Sequence, residues 1–364
     1  MTEKQPLAQQ VCLSLLLLCN LLLLTGCNND SPTAKFDNYL SRLARGLEQP
    51  TPTLNIDWTW WQYPSRSARW ITPQDIRLNF LAILSIKHCH SLTQRIAERN
   101  SALGKVMPIT QQAIYERQLL PELSACLQHP ESTSAELRET LRQWMTVKQA
   151  QLPSIYWNAL YNSSEMLHHF SLATPPLSDH PPSLTPTLQA LSYLTTFSQQ
   201  RDTPIQDVHM LSQQLNQHLQ KLQQRATGGE LIRASVLANT MLKKANQLMT
   251  AVSVQQICPQ HRPTPQARIL SQVLQKFYLQ QVQPYLAQLS QQLNQWQIAH
   301  QHLLKTLPHE NIPPAMKQFI AKTVADNTGL HATLKQQTTR HIAYWKQILK
   351  QCAIPVSSLR RHSS

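Results

Sequence analysis

Glycine is nearly missing from this sequence, with 6 in 364 residues. Turn-rich β architectures use glycine wherever the backbone needs a positive φ, so its scarcity argues against a sandwich or barrel and for helices. Acidic residues are few as well: 19 Asp and Glu stand against 33 Lys and Arg, for a formal net charge of +14. No apolar run is long enough to span a membrane. The Leu-rich stretch Leu13–Leu24, interrupted by Cys19 and Asn20, falls well short of the roughly 20 residues a spanning helix needs. Common catalytic signatures are absent: there is no Gly-x-Ser-x-Gly elbow, no phosphate loop and no Ser-x-x-Lys. Metal signatures are absent too. No Cys-x-x-Cys occurs, and His88/His90, His168/His169 and His300/His302 have spacings that point the two rings of each pair apart on a helix. His309-Glu310 is followed by Pro313 where a zinc motif needs its second histidine. No metal and no cofactor is expected.

The N-terminus carries an address. Leu24-Thr25-Gly26-Cys27 closes the Leu-rich run as a lipobox does, with two small residues before a cysteine to be acylated. Residues 1–26 then form a lipoprotein signal peptide. Alternatives are an ordinary signal cleaved at a small-x-small site, or a buried helix. A diacylated, N-acylated cysteine, carrying palmitate-like chains, gives stable anchoring where one chain is marginal. Asn28, rather than Asp, follows the cysteine, which favours the periplasmic face of the outer membrane. Residues 27–32 make a short tether, so the body is expected close to the bilayer; five extended residues reach under roughly 20 Å. Secretion also redirects the basic charge. It turns from nucleic acid toward envelope anions or an envelope protein, with a plainly solvated basic surface as the bland alternative.

Subtracting the signal resolves the odd cysteine count. Cys12 and Cys19 leave with it and Cys27 is acylated, leaving Cys89, Cys126, Cys258 and Cys352. Four cysteines in an oxidising compartment imply two disulfides. The midpoint between Cys89 and Cys126 falls in the turn at Met107-Pro108, and that between Cys258 and Cys352 falls close to the Leu307–Pro314 break. Each pair is therefore nearly equidistant from a break between antiparallel helices, which predicts Cys89–Cys126 and Cys258–Cys352.

Apolar spacing predicts an all-α, two-lobed protein with long antiparallel hairpins and an extended N-terminal arm. The N-terminal helical lobe covers 33–173, a Pro-rich linker 174–186, a C-terminal long-helix bundle 187–352 and a basic tail 353–364. Helices are expected over 33–47, 73–98, 110–128, 131–151 and a shorter segment after Pro153. In the second lobe they cover 187–199, 205–225, 231–254 (after a break at Gly228-Gly229), 265–307 and 314–351. Pro284 is expected to kink the first of the two closing helices. The Gln-rich stretches keep helical period at their apolar positions and are solvated helix faces. Leu54, Ile56, Trp58 and Trp60 alternate with polar residues, an extended period.

Glu98-Arg99-Asn100-Ser101-Ala102-Leu103-Gly104-Lys105-Val106-Met107 resembles a motif of an uncharacterised Gram-negative lipoprotein family, domain of unknown function 3080. Tyr63-Pro64, Tyr115-Glu116, Trp157-Asn158-Ala159, Cys258-Pro259, Lys276-Phe277-Tyr278 and Trp345 look similar too, so the resemblance covers nearly the whole mature chain. It implies that all four mature cysteines belong to the family's pattern. It implies no activity and no catalytic residue.

Candidate binding residues cluster at that motif: Glu98, Arg99, Asn100, Ser101 and Lys105 where one helix ends, with Glu116 on the returning helix. They form an anion- or glycan-binding corner, arginine offering a bidentate fork. The structural alternative has Arg99 on a carboxylate, Asn100 and Ser101 capping, and Gly104 at positive φ. Trp157 and Asn158 are a second candidate, read more simply as a buried Trp with a network Asn. Trp58, Trp60, Trp61, Arg66 and Arg69 follow the anchor closely and are candidates for interfacial docking or sugar stacking; the alternative is an arm packed across the helices. The expectation for function is a non-catalytic envelope scaffold, adaptor or ligand-binding module. The alternative is an enzyme acting on peptidoglycan or lipopolysaccharide through Glu98 and Glu116.

Overall fold

The computed structural model describes residues 31–74, 84–132, 134–307 and 311–355. The lipobox, Cys27 and most of the basic tail lie outside them, as do His309 and Glu310. Among the described residues the chain is all-α, without a strand, and no helix is long and apolar enough to cross a membrane.

Helix α1 (Pro32–Gly46) starts where Ser31 Oγ accepts from the Ala34 amide at 3.2 Å and Pro32 fills the first turn. Its face of Phe36, Tyr39, Leu40 and Leu43 is completely buried, worth about 1.5–3 kcal/mol per large side chain in transfer terms. The arm follows, with a 3₁₀ turn at Thr59–Trp61 and helix α2 (Arg66–Arg69). Leu54, Ile56 and Trp58 turn inward while Thr53, Asn55 and Asp57 stay exposed, so the period of two is real although no partner strand exists among the described residues.

Next come α3 (His90–Asn100), the single turn α4 (Ala102–Lys105), α5 (Ile109–Leu127), α6 (Ala135–Tyr161) and α7 (Ser164–His169). The expected helix over 73–98 is broken: residues 86–88 form a turn and Cys89 precedes α3. Part of that expected helix, 75–83, lies outside the described residues. In contrast, α6 fuses two expected helices by running through Pro153. The residues after the proline, Ile155 through Tyr161, are buried on every side, and that burial outweighs the ~3 kcal/mol a helix-interior proline costs.

The second half contains α8 (Thr185–Gln199), α9 (Val208–Gln223), α10 (Thr227–Thr250), α11 (Val254–Ile257), α12 (Pro265–Val273), α13 (Gln283–Lys305), α14 (Pro314–Thr323) and α15 (Leu330–Gln351). Gly228 and Gly229 do not break the chain; they form the first turn of α10. A Cβ on Gly229 would lie 1.8 Å from the Ser171 carbonyl oxygen, and one on Gly228 2.7 Å from His169 Nε2. The glycines thus permit close approach, without any positive φ. Pro284 acts through a wide turn: Leu274–Val282 is π-helical and joins α12 to α13. The looser ladder accommodates a residue that cannot donate an amide and whose ring crowds the preceding turn. The closing helix expected over 314–351 is two helices. Asp326-Asn327-Thr328-Gly329 supplies the turn, and Gly329 lies so near the Ala325 carbonyl that a Cβ would come within 2.4 Å.

Both expected disulfides are present. Cys89 and Cys126 join the start of α3 to the last turn of α5, with 5.4 Å between Cα atoms; Cys258 and Cys352 join the segment after α11 to the end of α15, at 5.2 Å. Buried side chains form two clusters. The larger gathers α1, α7, α8, α9, α10, α12, α13 and α15 with the C-terminal half of α6. The smaller holds Ile86, Cys89, Leu92, Ile96, Tyr115, Leu119, Leu123, Cys126 and Leu141. The two cores therefore part along α5 and α6, whereas the sequence placed the boundary at 174–186. That Pro-rich stretch lies on the surface of the larger core, pinned by the buried Leu177 and Leu184.

Candidate functional site

A cleft of about 680 Å³ opens where the small core meets α6. Arg99, Asn100, Lys105 and Glu116, four of the residues singled out in the sequence, line it together. The shape begins at the α3–α4 corner. Ser101 Oγ donates to the Glu98 carbonyl at 2.7 Å and accepts from the Gly104 amide at 3.0 Å, turning the chain in one residue. Arg99 donates to the Gly104 carbonyl, not to a carboxylate. Gly104 has no positive φ; it is required because a Cβ there would lie 2.2 Å from the Glu98 carbonyl oxygen. Asn100 and Lys105 are exposed at the mouth.

The two carboxylates part company. Glu98 turns outward, accepting from Arg95 at 3.1 Å and Gln94 at 3.2 Å, and does not line the cleft. Arg95 in turn holds Glu122 at 2.9 Å. Glu116 faces the cleft, with Oε1 on Lys148 Nζ at 2.8 Å. Its Oε2 is buried and finds no donor among the described residues, and Gln151 Oε1 is in the same condition. Tyr115 lies between the charges. Burial raises its hydroxyl pKa most and Glu116 adds to that, against the opposing pull of Arg99 and Arg95.

Sequence reasoning missed the far wall. Trp144, Lys148, Gln151 and Ile155 all line the cleft from α6. Their spacing of four, three and four residues was a legible signal for one helix face, and it continues α3's Leu92, Ile96 and Arg99 and α5's Gln112, Tyr115, Glu116 and Leu119.

The other candidates lie elsewhere. Trp157 and Asn158 are buried and pin the end of the arm. Trp157 Nε1 donates to the Arg69 carbonyl at 2.8 Å, and Asn158 exchanges two bonds with the Ile71 backbone at 2.6 and 3.0 Å. Arg69 is buried, its guanidinium over Tyr63 at 4.3 Å and on Asn162 Oδ1 at 3.3 Å. Trp58 packs beneath Arg233 at 4.3 Å and Trp60 beside Lys322 at 4.6 Å. Trp61 is half-buried against the large core. Trp60 and Arg66 remain exposed. His88, Cys89 and Cys126 put their ligand atoms within 4.8 Å of one another, but both sulfurs are spent in the disulfide.

Two buried histidine networks also went unforeseen. His169 and His300 meet at 3.2 Å between Nε2 atoms, with Trp296 Nε1 donating to His169 at 2.9 Å. His341 accepts from Tyr39 at 2.5 Å and donates to Asn246 at 2.9 Å, with Trp345 donating to both Tyr39 and His341. The network ties α1, α10 and α15 together.

One family model, a protein of unknown function (DUF3080), matches the chain over residues 36–356. The chain belongs to the DUF3080 family. No curated protein and no solved structure matches it. Membership spans both cores and every wall of the cleft, and it assigns no chemistry to the DUF3080 cleft.

Proposed function

We propose that this DUF3080 protein is an outer-membrane lipoprotein, held by an acylated Cys27, whose body faces the periplasm and binds an anionic envelope component without catalysing a reaction on it. The observation that carries the binding reading is the cleft's charge. Among the described residues, Arg99, Lys105 and Lys148 line it against a single carboxylate, Glu116, which Lys148 already partners. Acid–base chemistry on a polymer calls for two converging titratable groups in complementary states. Glu98, the second carboxylate of the enzyme alternative, is instead engaged outside the cleft by Arg95 and Gln94.

Anchoring is supported by the lipobox and by α1 starting a few residues beyond Cys27. Replacing the cysteine, C27S, should move the protein from the membrane to the soluble periplasmic fraction; an unchanged membrane fraction contradicts the anchor. The binding reading is tested by co-sedimentation with purified peptidoglycan sacculi and with lipopolysaccharide. Wild-type protein should pellet with one of them, and Lys105→Glu should weaken retention about tenfold, a loss of ~1.4 kcal/mol. Retention on neither polymer contradicts it.

A further inference from the structure

The walls of the cleft specify more than negative charge. Two acceptor oxygens, Glu116 Oε2 and Gln151 Oε1, are buried in the wall with no donor among the described residues. Gln151 lines the cleft and is 8 % exposed. A buried acceptor without a donor is costly, and a ligand bringing O–H or N–H groups relieves that cost. Half-buried Trp144 lines the same space and supplies an aromatic ring. Lys105, exposed at the mouth, and Arg99, which spends a donor on Gly104, supply cations.

Inorganic phosphate meets the cations and can offer an O–H to one acceptor, but it brings nothing for the tryptophan face. An acyl chain meets the tryptophan and strands all the charges. A ring with an apolar face, several hydroxyl groups and one acidic substituent answers every feature at once. Hydroxyls both donate and accept, so they pair Glu116 and Gln151 while taking bonds from Lys148.

Resting on the anion-binding reading of this cleft, we infer that its ligand is an acidic sugar: a pyranose packed on Trp144, its hydroxyls on Glu116 and Gln151, its phosphate or carboxylate on Arg99 and Lys105. The two acidic groups point to different envelope sources, phosphorylated lipopolysaccharide sugars or the carboxylated sugar of peptidoglycan, and the test separates them.

The full acylated chain, in a detergent without a sugar head group, is titrated with glucose 6-phosphate, N-acetylmuramic acid, N-acetylglucosamine and inorganic phosphate, read by calorimetry and saturation-transfer NMR. One of the two acidic sugars should bind, with saturation transferred to its ring protons. The neutral sugar and phosphate should each bind about tenfold more weakly or worse. Trp144→Leu should weaken the acidic sugar about tenfold as well. Gln151→Leu is the second variant. It removes an unpaired buried acceptor, so it should fold at least as well as wild type while losing affinity. Phosphate binding as tightly as the acidic sugars would overturn the sugar assignment and leave the anion reading standing. So would full affinity in both variants. Equal binding of the neutral sugar would overturn the role given to Arg99 and Lys105. Binding of none of the four would remove both readings.

Discussion

Acid should unfold this protein before it unfolds most helical domains of its size. His169 and His341 are completely buried, and desolvation lowers each pKa to about 3; His300 is driven well below its ordinary value by burial and by His169 beside it. The sign follows from linkage. A histidine held neutral in the fold takes up no proton near pH 5, while the unfolded chain, with pKa near 6.5, does. Stability is therefore whole above about pH 6.5 and falls as pH drops toward 3. At pH 4.5, His169 and His341 each cost about 2–3 kcal/mol relative to pH 7.5, and His300 adds in the same direction. A domain has only about 5–15 kcal/mol in total. Urea unfolding across this range should lose about half or more of the neutral-pH stability by pH 4.5. His341→Gln keeps an acceptor for Tyr39 and should flatten the slope by about one proton's worth, ~1.4 kcal/mol per pH unit. Stability that stays level from pH 7.5 to 4.5 contradicts the neutral buried histidines.

The two disulfides should contribute unequally. Cys258–Cys352 closes a separation of 94 residues and Cys89–Cys126 one of 37. In the chain-entropy model these limit the unfolded state by about 5 and about 4 kcal/mol. Replacing Cys258 and Cys352 together with serine should lower stability by about 3–5 kcal/mol, with the melting temperature falling by several degrees or more. The shorter bridge is better placed to affect the cleft. It fixes α3 against α5, and those helices carry Arg99 and Glu116. Replacing Cys89 and Cys126 should loosen that wall and weaken ligand binding while the large core, whose members lie mostly elsewhere, keeps its packing. Greater stability loss from the shorter bridge, or unaltered binding without it, contradicts this division of labour.

What was legible in the sequence was local or periodic. The face of α1 and the inward alternation of Leu54, Ile56 and Trp58 follow from spacing alone. Both cysteine pairings follow from turns midway between partners. The α3–α4 corner was visible because Ser101 and Gly104 punctuate a helical run. Several features were hidden because they depend on contacts between distant segments. Pro153 looks like a boundary until the burial around Ile155–Tyr161 is known. Gly228 and Gly229 look like a break until His169 and Ser171 approach them. The division into lobes was drawn at a composition change, whereas the cores divide by packing, across α5 and α6. His169 and His300 are 131 positions apart, and only folding brings their rings together. The break at Asp326–Gly329 is different: its turn residues were there to read, within an apolar pattern that suggested one long helix.

The central claim is that the cleft between α3, α5 and α6 is the working surface. Its most direct test is site-specific photo-crosslinking in intact cells. A photoreactive residue replaces Asn100, at the cleft's mouth, and in a control replaces Gln220, exposed on α9 away from it. The Asn100 position should yield an adduct whose mass includes a sugar bearing an acidic group, and the Gln220 position should not. An adduct from Gln220 alone, or none from Asn100, would contradict the account.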